Sequence, residues 1–90
     1  MYSLEYTQTA KECFRKLRRH EPKAFKKLGK LLLELMEHPE TGTGHPEQLK
    51  GDRVGQWSRR ITSKHRLIYQ IKKTEVVVLV LSAYGHYEDK

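Results

Sequence analysis

VVVLVL, residues Val76–Leu81, is the longest apolar run in this 90-residue chain. No polar residue alternates with the apolar ones, so the run predicts an interior strand that is covered on both faces of a sheet. Two more strand-like segments precede it, at about Gln56–Thr62 and Arg66–Ile71. A polar turn centred on residues 72–74 separates the last two segments. The C-terminal half is therefore expected to form three strands.

The N-terminal half carries one short strand pattern and two helix patterns. Apolar and polar residues alternate over Tyr2–Tyr6, the period of a half-buried strand. Thr9 and Glu12 have the spacing of a capping box, which predicts the start of a first helix. Pro22 suits the first turn of a second helix. Pro39 is expected to end that helix, because the residue before a proline disfavours helical geometry.

The element order, strand, two helices and three strands, predicts the fold class. Two adjacent helices leave too few crossovers for a parallel α/β sheet. We therefore expect an α+β fold, with both helices packed on one face of a small antiparallel or mixed sheet. The first strand could pair in parallel with one of the later strands through a crossover connection. The length predicts a single domain over residues 1–90.

The charge of the chain favours an anionic partner. The formal net charge is +7 and the sequence pI is about 9.7, values typical of a small domain that binds nucleic acid. Nine Lys or Arg lie within residues 11–30. They form either a solvated helix face or a surface that contacts phosphates.

Cysteine content and hydropathy favour the cytoplasm. Cys13 is the only cysteine, so no internal disulfide can form, and its place on the apolar face of a helix predicts a buried, inert thiol. No basic-then-apolar leader is expected at the N-terminus, and the run Val76–Leu81 is too short to cross a bilayer. No membrane association is expected.

Several kinds of site are not supported by the sequence. The five histidines include no pair at the i, i+4 spacing of a zinc-binding helix, and there is no second cysteine, so neither a metal nor any other cofactor is expected. Phosphate-binding glycine loops, dinucleotide fingerprints and nucleophile elbows are also missing from the sequence.

The remaining polar residues suit RNA cleavage, which needs no protein nucleophile. The 2′-hydroxyl of RNA attacks the adjacent phosphorus if a base takes its proton and an acid protonates the leaving 5′-oxygen. Glu47 could be the base and His86 the acid, while Arg60 and Arg66 could clamp the phosphate. Tyr87 could stack on a base or support the proton transfer. Each residue alone also has an ordinary structural explanation: Arg59 and Arg60, for example, could form ion pairs within the protein.

Four sequence blocks together resemble a known family. They are Gly44-x-Pro46-Glu47-x-Leu49-Lys50, Trp57-Ser58-Arg59-Arg60-Ile61-Thr62, His65-Arg66-Leu67-Ile68-Tyr69 and the late His86-Tyr87. The blocks and their spacing are similar to those of the YoeB/Txe toxins, members of the RelE/ParE superfamily. The match is dense over residues 44–87, whereas the N-terminal half agrees in layout more than in residues. The chain departs from some relatives by continuing past Tyr87 with residues 88–90.

The resemblance implies a function and assigns roles. It implies a RelE-like fold and the toxin of a type II toxin–antitoxin system, an endoribonuclease that cleaves mRNA in the ribosomal A site without a metal. It implies neutralisation by a YefM/Axe-like antitoxin and suggests a homodimer. By resemblance, Glu47 is the general base, His86 the general acid and Arg66 the phosphate-stabilising residue, and Tyr87 places the substrate. The expected RNA-binding residues are Lys50, Arg59, Arg60 and His65.

Two other functions remain open at this point. One is a non-catalytic module that binds the ribosome or RNA through its basic surface. The other is a gyrase-directed toxin of the ParE branch, which shares the fold. A gyrase inhibitor needs no acid–base pair, so the set of Glu47, Arg66, His86 and Tyr87 favours the ribonuclease.

Overall fold

A computed structural model of the chain describes residues 1–85. The elements, in chain order, are β1 (Ser3–Tyr6), α1 (Gln8–His20), α2 (Pro22–Glu37), β2 (Glu47–Gln48), β3 (Gln56–Arg60), β4 (Arg66–Lys72) and β5 (Val77–Ser82). A single 3-10 turn, Gly51–Arg53, lies between β2 and β3. Residues 86–90, which include the predicted His86 and Tyr87, lie outside the described residues.

The strands form one mixed sheet in the order β1-β5-β4-β3-β2. β1 pairs with β5 in parallel, and the other neighbours are antiparallel. The predicted α+β class is confirmed. Of the two kinds of sheet that the sequence left open, antiparallel or mixed, the sheet is mixed, and the first strand makes the parallel pairing that the element order allowed. β2 was not predicted, because two polar residues are too few to show any alternation.

Both helices pack on one face of this sheet. Their apolar stripes form a single buried cluster with side chains from the strands, among them Leu67, Tyr69, Val78 and Val80. Cys13 is buried in the same cluster, as predicted. The prediction that β5 is covered on both faces was only half right. Val78 and Val80 are fully buried against the helices, whereas alternate residues of β5 on the other face stay partly exposed. In the part of the chain that the structure describes, no helix is long and apolar enough to span a membrane.

The helix boundaries agree with the prediction except at the first cap. Thr7, not Thr9, caps α1: its hydroxyl oxygen accepts a hydrogen bond from the Ala10 N–H at 3.0 Å. Thr7 also donates to the Leu81 carbonyl at 2.9 Å, and this contact ties the start of α1 to β5. Pro22 is in the first turn of α2, and the helix ends at Glu37, two residues before Pro39.

One buried cation connects α2, the following loop and the sheet. The side chain of Arg59 is fully buried, and its guanidinium lies 2.9 Å from the Glu34 carboxylate and donates to the Tyr69 hydroxyl at 3.1 Å. It also donates to three carbonyl oxygens of the loop after α2, those of His38, Thr41 and Thr43. The loop that leads from α2 to β2 is therefore attached to β3 from inside.

The next contact along the chain continues this attachment. The Arg60 N–H donates to the Gly44 carbonyl at 2.7 Å. Gly44 has φ of 89°, and a Cβ there would lie 2.8 Å from the Arg60 carbonyl oxygen, so the close approach requires glycine. The loop thus enters β2 at a fixed position beside β3.

Replacing Arg59 tests this arrangement against an adjacent matched control. We expect Arg59→Met to lower the free energy of unfolding by roughly 3 kcal/mol, because a carboxylate and several carbonyls lose their buried partner. Arg60→Met removes the same charge from an exposed position and is expected to change stability by about 0.5 kcal/mol or less. Urea unfolding measures both values. Equal losses would contradict a special role for the inward-facing arginine.

The Glu34 carboxylate makes part of this stability dependent on pH. Hydrogen bonding by Thr43, and after it the Arg59 guanidinium, hold the pKa of Glu34 below its ordinary value of 4.5, although burial opposes them. A pKa lowered by folding stabilises the folded state above the unfolded pKa, and this contribution is lost as the pH falls through the folded value. We therefore expect the stability difference between wild type and Glu34→Gln to shrink as the pH falls from the ordinary pKa of 4.5 through the lowered pKa of Glu34.

Glu37→Gln is the control for this pH experiment. Glu37 is exposed on the same helix, so the substitution makes the same change in net charge outside the buried network. Urea unfolding at several pH values compares the three proteins. A wild-type advantage over Glu34→Gln that stayed constant through the acid range would argue against the Glu34 assignment.

Candidate active site on the open face of the sheet

The face of the sheet that turns away from the helices is called the open face here. Residues that pair directly on neighbouring strands project to the same side. Glu47 pairs with Ser58, Ser58 pairs with Ile68, and Arg60 pairs with Arg66. All five lie on the open face, since the intervening residues of β3 and β4 pack in the core on the helix side.

Glu47 and Arg66 form the centre of the candidate site. The Glu47 carboxylate lies 3.7 Å from the Arg66 guanidinium, so β2 and β4 bring the predicted base and the predicted phosphate ligand together across β3. The Glu47 side chain is 56% exposed and that of Arg66 is 20% exposed. An ion pair this long and this open leaves the carboxylate accessible to a ligand.

A second guanidinium lies directly across from Arg66. Arg60 and Arg66 pair on adjacent antiparallel strands, and Arg60 is exposed. Like charges at directly opposed positions destabilise a sheet. The two opposed arginines form a positively charged patch on the open face, with the Glu47 carboxylate beside Arg66. Phosphate suits it, because guanidinium forks match phosphate oxygens.

Lys50 adds to the positive charge at the end of β2. Leu49 is buried, and its N–H donates to the Gln56 carbonyl at 2.9 Å, so the chain stays attached to β3 beyond the strand. Lys50 follows immediately and is exposed. The predicted RNA-binding role of Lys50 stays a prediction.

Ser58 is a polar group at this site that the sequence analysis did not single out. It is fully buried between Glu47 and Ile68, and its hydroxyl makes no hydrogen bond within the described protein. A serine between a tryptophan and an arginine carries no sequence signal that distinguishes it from a strand residue on any surface. Its pairing with Glu47 became evident only from the register.

Two predicted RNA-binding residues are corrected by the structure. Arg59 is fully buried on the helix side and uses its guanidinium within the protein, so it is not available to RNA. His65 is 2% exposed, and both its ring nitrogens have protein partners, so it does not lie on a binding surface either. Both predictions failed because the motif shows where basic residues occur along the chain but not which way each one faces.

The other predicted catalytic residues, His86 and Tyr87, lie outside the described residues. The residue before them is held at the site: the Gly85 carbonyl accepts a hydrogen bond from the Arg66 N–H at 3.0 Å. Among residues 1–85, no group of three or more His, Cys, Asp or Glu side chains could hold a metal ion.

The fold is shared with solved bacterial toxins. A YoeB/ParE toxin from Agrobacterium tumefaciens superimposes with a TM-score of 0.88 at 32% sequence identity, covering 94% of this chain and 99% of that one. A YoeB dimer from Staphylococcus aureus gives a TM-score of 0.83 at 29% identity, covering 96% and 98%. These neighbours define the class of protein as an α+β toxin fold.

Sequence comparison specifies the family within that class. Residues 6–87 match the family described as YoeB-like toxin of bacterial type II toxin-antitoxin system. Toxin YoeB of Streptomyces coelicolor is 42% identical over 65 residues, which cover 72% of this chain and 75% of that protein. Toxin YoeB of Escherichia coli K12 is 40% identical over 62 residues, covering 69% and 71%. The chain belongs to the YoeB-like family of toxins of type II toxin–antitoxin systems, which confirms the resemblance inferred from its sequence blocks.

Proposed function

We propose that this toxin is a ribosome-dependent endoribonuclease that cleaves mRNA in the A site by attack of the RNA 2′-hydroxyl. The observation that carries the proposal is the approach of Glu47 to Arg66 on the open face, with Arg60 directly across from Arg66. This arrangement supports the proposal because an accessible carboxylate lies beside one guanidinium, with a second arginine directly across the strands. Attack by the 2′-hydroxyl uses a base together with cations that stabilise the charge on the phosphate.

In the proposed reaction, Glu47 takes the proton of the 2′-hydroxyl, and the 2′-oxygen forms a bond to phosphorus. The bond from phosphorus to the 5′-oxygen breaks, and His86 protonates that leaving oxygen. The products are a 2′,3′-cyclic phosphate and a 5′-hydroxyl. No metal takes part in these steps, since the proton acceptor and donor are both side chains.

The cations stabilise the charge that builds on the phosphate during this reaction. The Arg66 guanidinium lies 3.7 Å from the Glu47 carboxylate, so its fork can contact the phosphate oxygens while the carboxylate contacts the neighbouring 2′-hydroxyl. Arg60, which pairs with Arg66, and Lys50, which follows β2, add exposed positive charge. Tyr87, the residue after the proposed acid, is assigned to substrate placement by stacking.

The partners proposed for the chain follow from its relatives. The Staphylococcus aureus toxin has been solved in a heterotetrameric YoeB-YefM toxin–antitoxin complex, and this chain matches it with a TM-score of 0.82 at 28% identity. We propose a YefM-like antitoxin and a homodimer for this chain as well. Acidic antitoxin side chains would complement the exposed Arg60 and Lys50. Its ribosomal target would place the toxin in the cytoplasm.

Neutralising the proposed base tests the enzyme directly. We expect Glu47→Gln to lower the single-turnover rate of mRNA cleavage on ribosomes by about 10²- to 10⁴-fold, because the amide keeps the shape but accepts no proton. Ribosome affinity is expected to stay nearly unchanged. Ribosomes stalled with an A-site codon and a labelled mRNA provide the assay.

Glu5→Gln is the matched control for this substitution. Glu5 is exposed on β1 at the opposite edge of the sheet, and it pairs with Leu79 on the open face. Removing this carboxylate makes the same change in net charge far from Glu47, and we expect cleavage at the wild-type rate. A Glu47→Gln protein that cleaves within a few-fold of Glu5→Gln would remove Glu47 from the mechanism. A wild-type protein that binds ribosomes without cutting mRNA would instead support a non-catalytic module.

The basic helix residues generate a separate prediction about ribosome binding. All nine Lys and Arg of residues 11–30 are exposed, and four lysines of α2 line one groove beside Thr43 on the loop that leads to β2: Lys23, Lys26, Lys27 and Lys30. We expect replacement of these four by Gln to flatten the dependence of log K on log salt by about 0.7 to 0.9 per lost phosphate contact.

An equal charge change on α1 is the control for the salt experiment. Replacing Lys11, Arg15, Arg18 and Arg19 by Gln removes four exposed charges that lie outside this groove. We expect a smaller change of slope. Slopes that matched wild type in both variants would make the basic stretch a solvated surface with no phosphate contacts.

A further inference from the structure

His65 is a buried histidine for which the proposed reaction has no use. Its Nε2 lies 2.6 Å from the Glu21 carboxylate, and its Nδ1 accepts a hydrogen bond from the Gly85 N–H at 2.8 Å. Because Nδ1 accepts, the proton of the neutral ring is on Nε2, where it is donated to Glu21. That hydrogen bond is the main reason that the pKa of Glu21 lies below its ordinary value, with Lys64 nearby adding to the effect.

The backbone around His65 is also held. Thr62 accepts hydrogen bonds through its hydroxyl from the N–H groups of Lys64 and His65, at 3.1 and 3.2 Å. The His65 carbonyl accepts from the Ile61 N–H at 3.0 Å. The ring therefore extends from a closed turn between β3 and β4, and Glu21 approaches it from the junction of α1 and α2.

Gly85 is fixed from both sides by this turn. Its N–H donates to His65, and its carbonyl accepts from the N–H of Arg66, the next residue. The ring of Tyr84 lies 4.7 Å from the His65 ring, and Lys16 from α1 lies 5.2 Å from the centre of the Tyr84 ring. The chain is thus anchored at residues 84 and 85, immediately before His86.

We propose that the Glu21–His65 pair positions the C-terminal catalytic segment by anchoring the Gly85 backbone. The proposal rests on the proposed function, in which His86 is the general acid. Consecutive Cα atoms are about 3.8 Å apart, so fixing residue 85 restricts where the next residue can lie. His65 is accordingly a positioning residue that acts through Gly85 and does not touch RNA.

Glu21 contributes by selecting the ring tautomer. A carboxylate next to Nε2 favours the proton on that nitrogen, and this leaves the Nδ1 lone pair free to accept from Gly85. With the proton on Nδ1, two N–H groups would face each other and the anchor would be lost. The helix junction thereby supports the Gly85 anchor through a single imidazole.

Two substitutions at His65 separate the contributions of its two nitrogens. Asn has an acceptor oxygen near the position of Nδ1, whereas Gln has a donor nitrogen near the position of Nε2. We expect His65→Asn to cleave ribosome-bound mRNA within about threefold of wild type in single turnover. His65→Gln is expected to lose about 10- to 100-fold, because a misplacement of about 1 Å costs that much. Ribosome affinity should be the same in all three proteins.

Hydrogen exchange of the Gly85 amide provides a readout that does not depend on activity. We expect slow exchange in wild type and His65→Asn, and exchange faster by at least about tenfold in His65→Gln. Equal exchange in the two variants, equal cleavage rates, or rates that merely follow the urea midpoints would overturn the proposal. If wild type cleaves no mRNA on ribosomes, the proposed function is wrong. The exchange rate of the Gly85 amide would still show whether His65 anchors Gly85.

The wild-type protein offers a test that needs no variant. Nitrogen-15 NMR of labelled histidine is expected to show His65 with its proton on Nε2 and an unprotonated Nδ1. A proton on Nδ1 would contradict the anchor directly, even if both His65 variants failed to fold.

Discussion

The buried guanidinium of Arg59 is the interaction on which the geometry of the site depends. A fully buried cation needs a partner for each of its donors, and the Arg59 guanidinium finds partners on α2, on the loop after it and on β4. The loop between α2 and β2 has little apolar surface of its own to bury. Its position comes from these hydrogen bonds and from the close contact of Gly44 with Arg60. Because β2 consists of only two residues, the place of Glu47 is set by this attachment more than by strand pairing.

The two consecutive arginines of β3 thus lie on opposite faces of the sheet and have different roles. Strand geometry turns neighbouring side chains to opposite faces, so Arg59 enters the core and Arg60 remains exposed on the open face beside Arg66. The sequence contained evidence for these two orientations. Trp57 and Ile61 are apolar and lie two residues before and after Arg59, so strand alternation puts Arg59 on the same, core-facing side as these two residues. The motif alone made both arginines look like RNA ligands, and only the alternation distinguishes them.

The sequence predicted some of the other elements and contacts of the fold but not all of them. The helices and the three longer strands follow from periodicity and were predicted, whereas the element order showed only that β1 could pair in parallel. The cap at Thr7 was missed because Thr9 and Glu12 have the spacing of a capping box, whereas Thr7 has no glutamate three residues later. The contacts of His65 are with Glu21 and Gly85, which are distant in sequence, and no local pattern reports such a contact. Contacts of this kind require the register and the packing.

The central claim is that an acid–base pair on this toxin drives 2′-hydroxyl attack, and the chemistry of the cut ends tests it most directly. Programmed ribosomes with a defined A-site codon are incubated with the toxin, and both termini of the cleaved mRNA are analysed. Attack by the 2′-hydroxyl leaves a 2′,3′-cyclic phosphate, or the monophosphate formed from it, and a 5′-hydroxyl at one position in the A site. A 3′-hydroxyl with a 5′-phosphate would require water as the nucleophile and would contradict the assignment of Glu47 and His86.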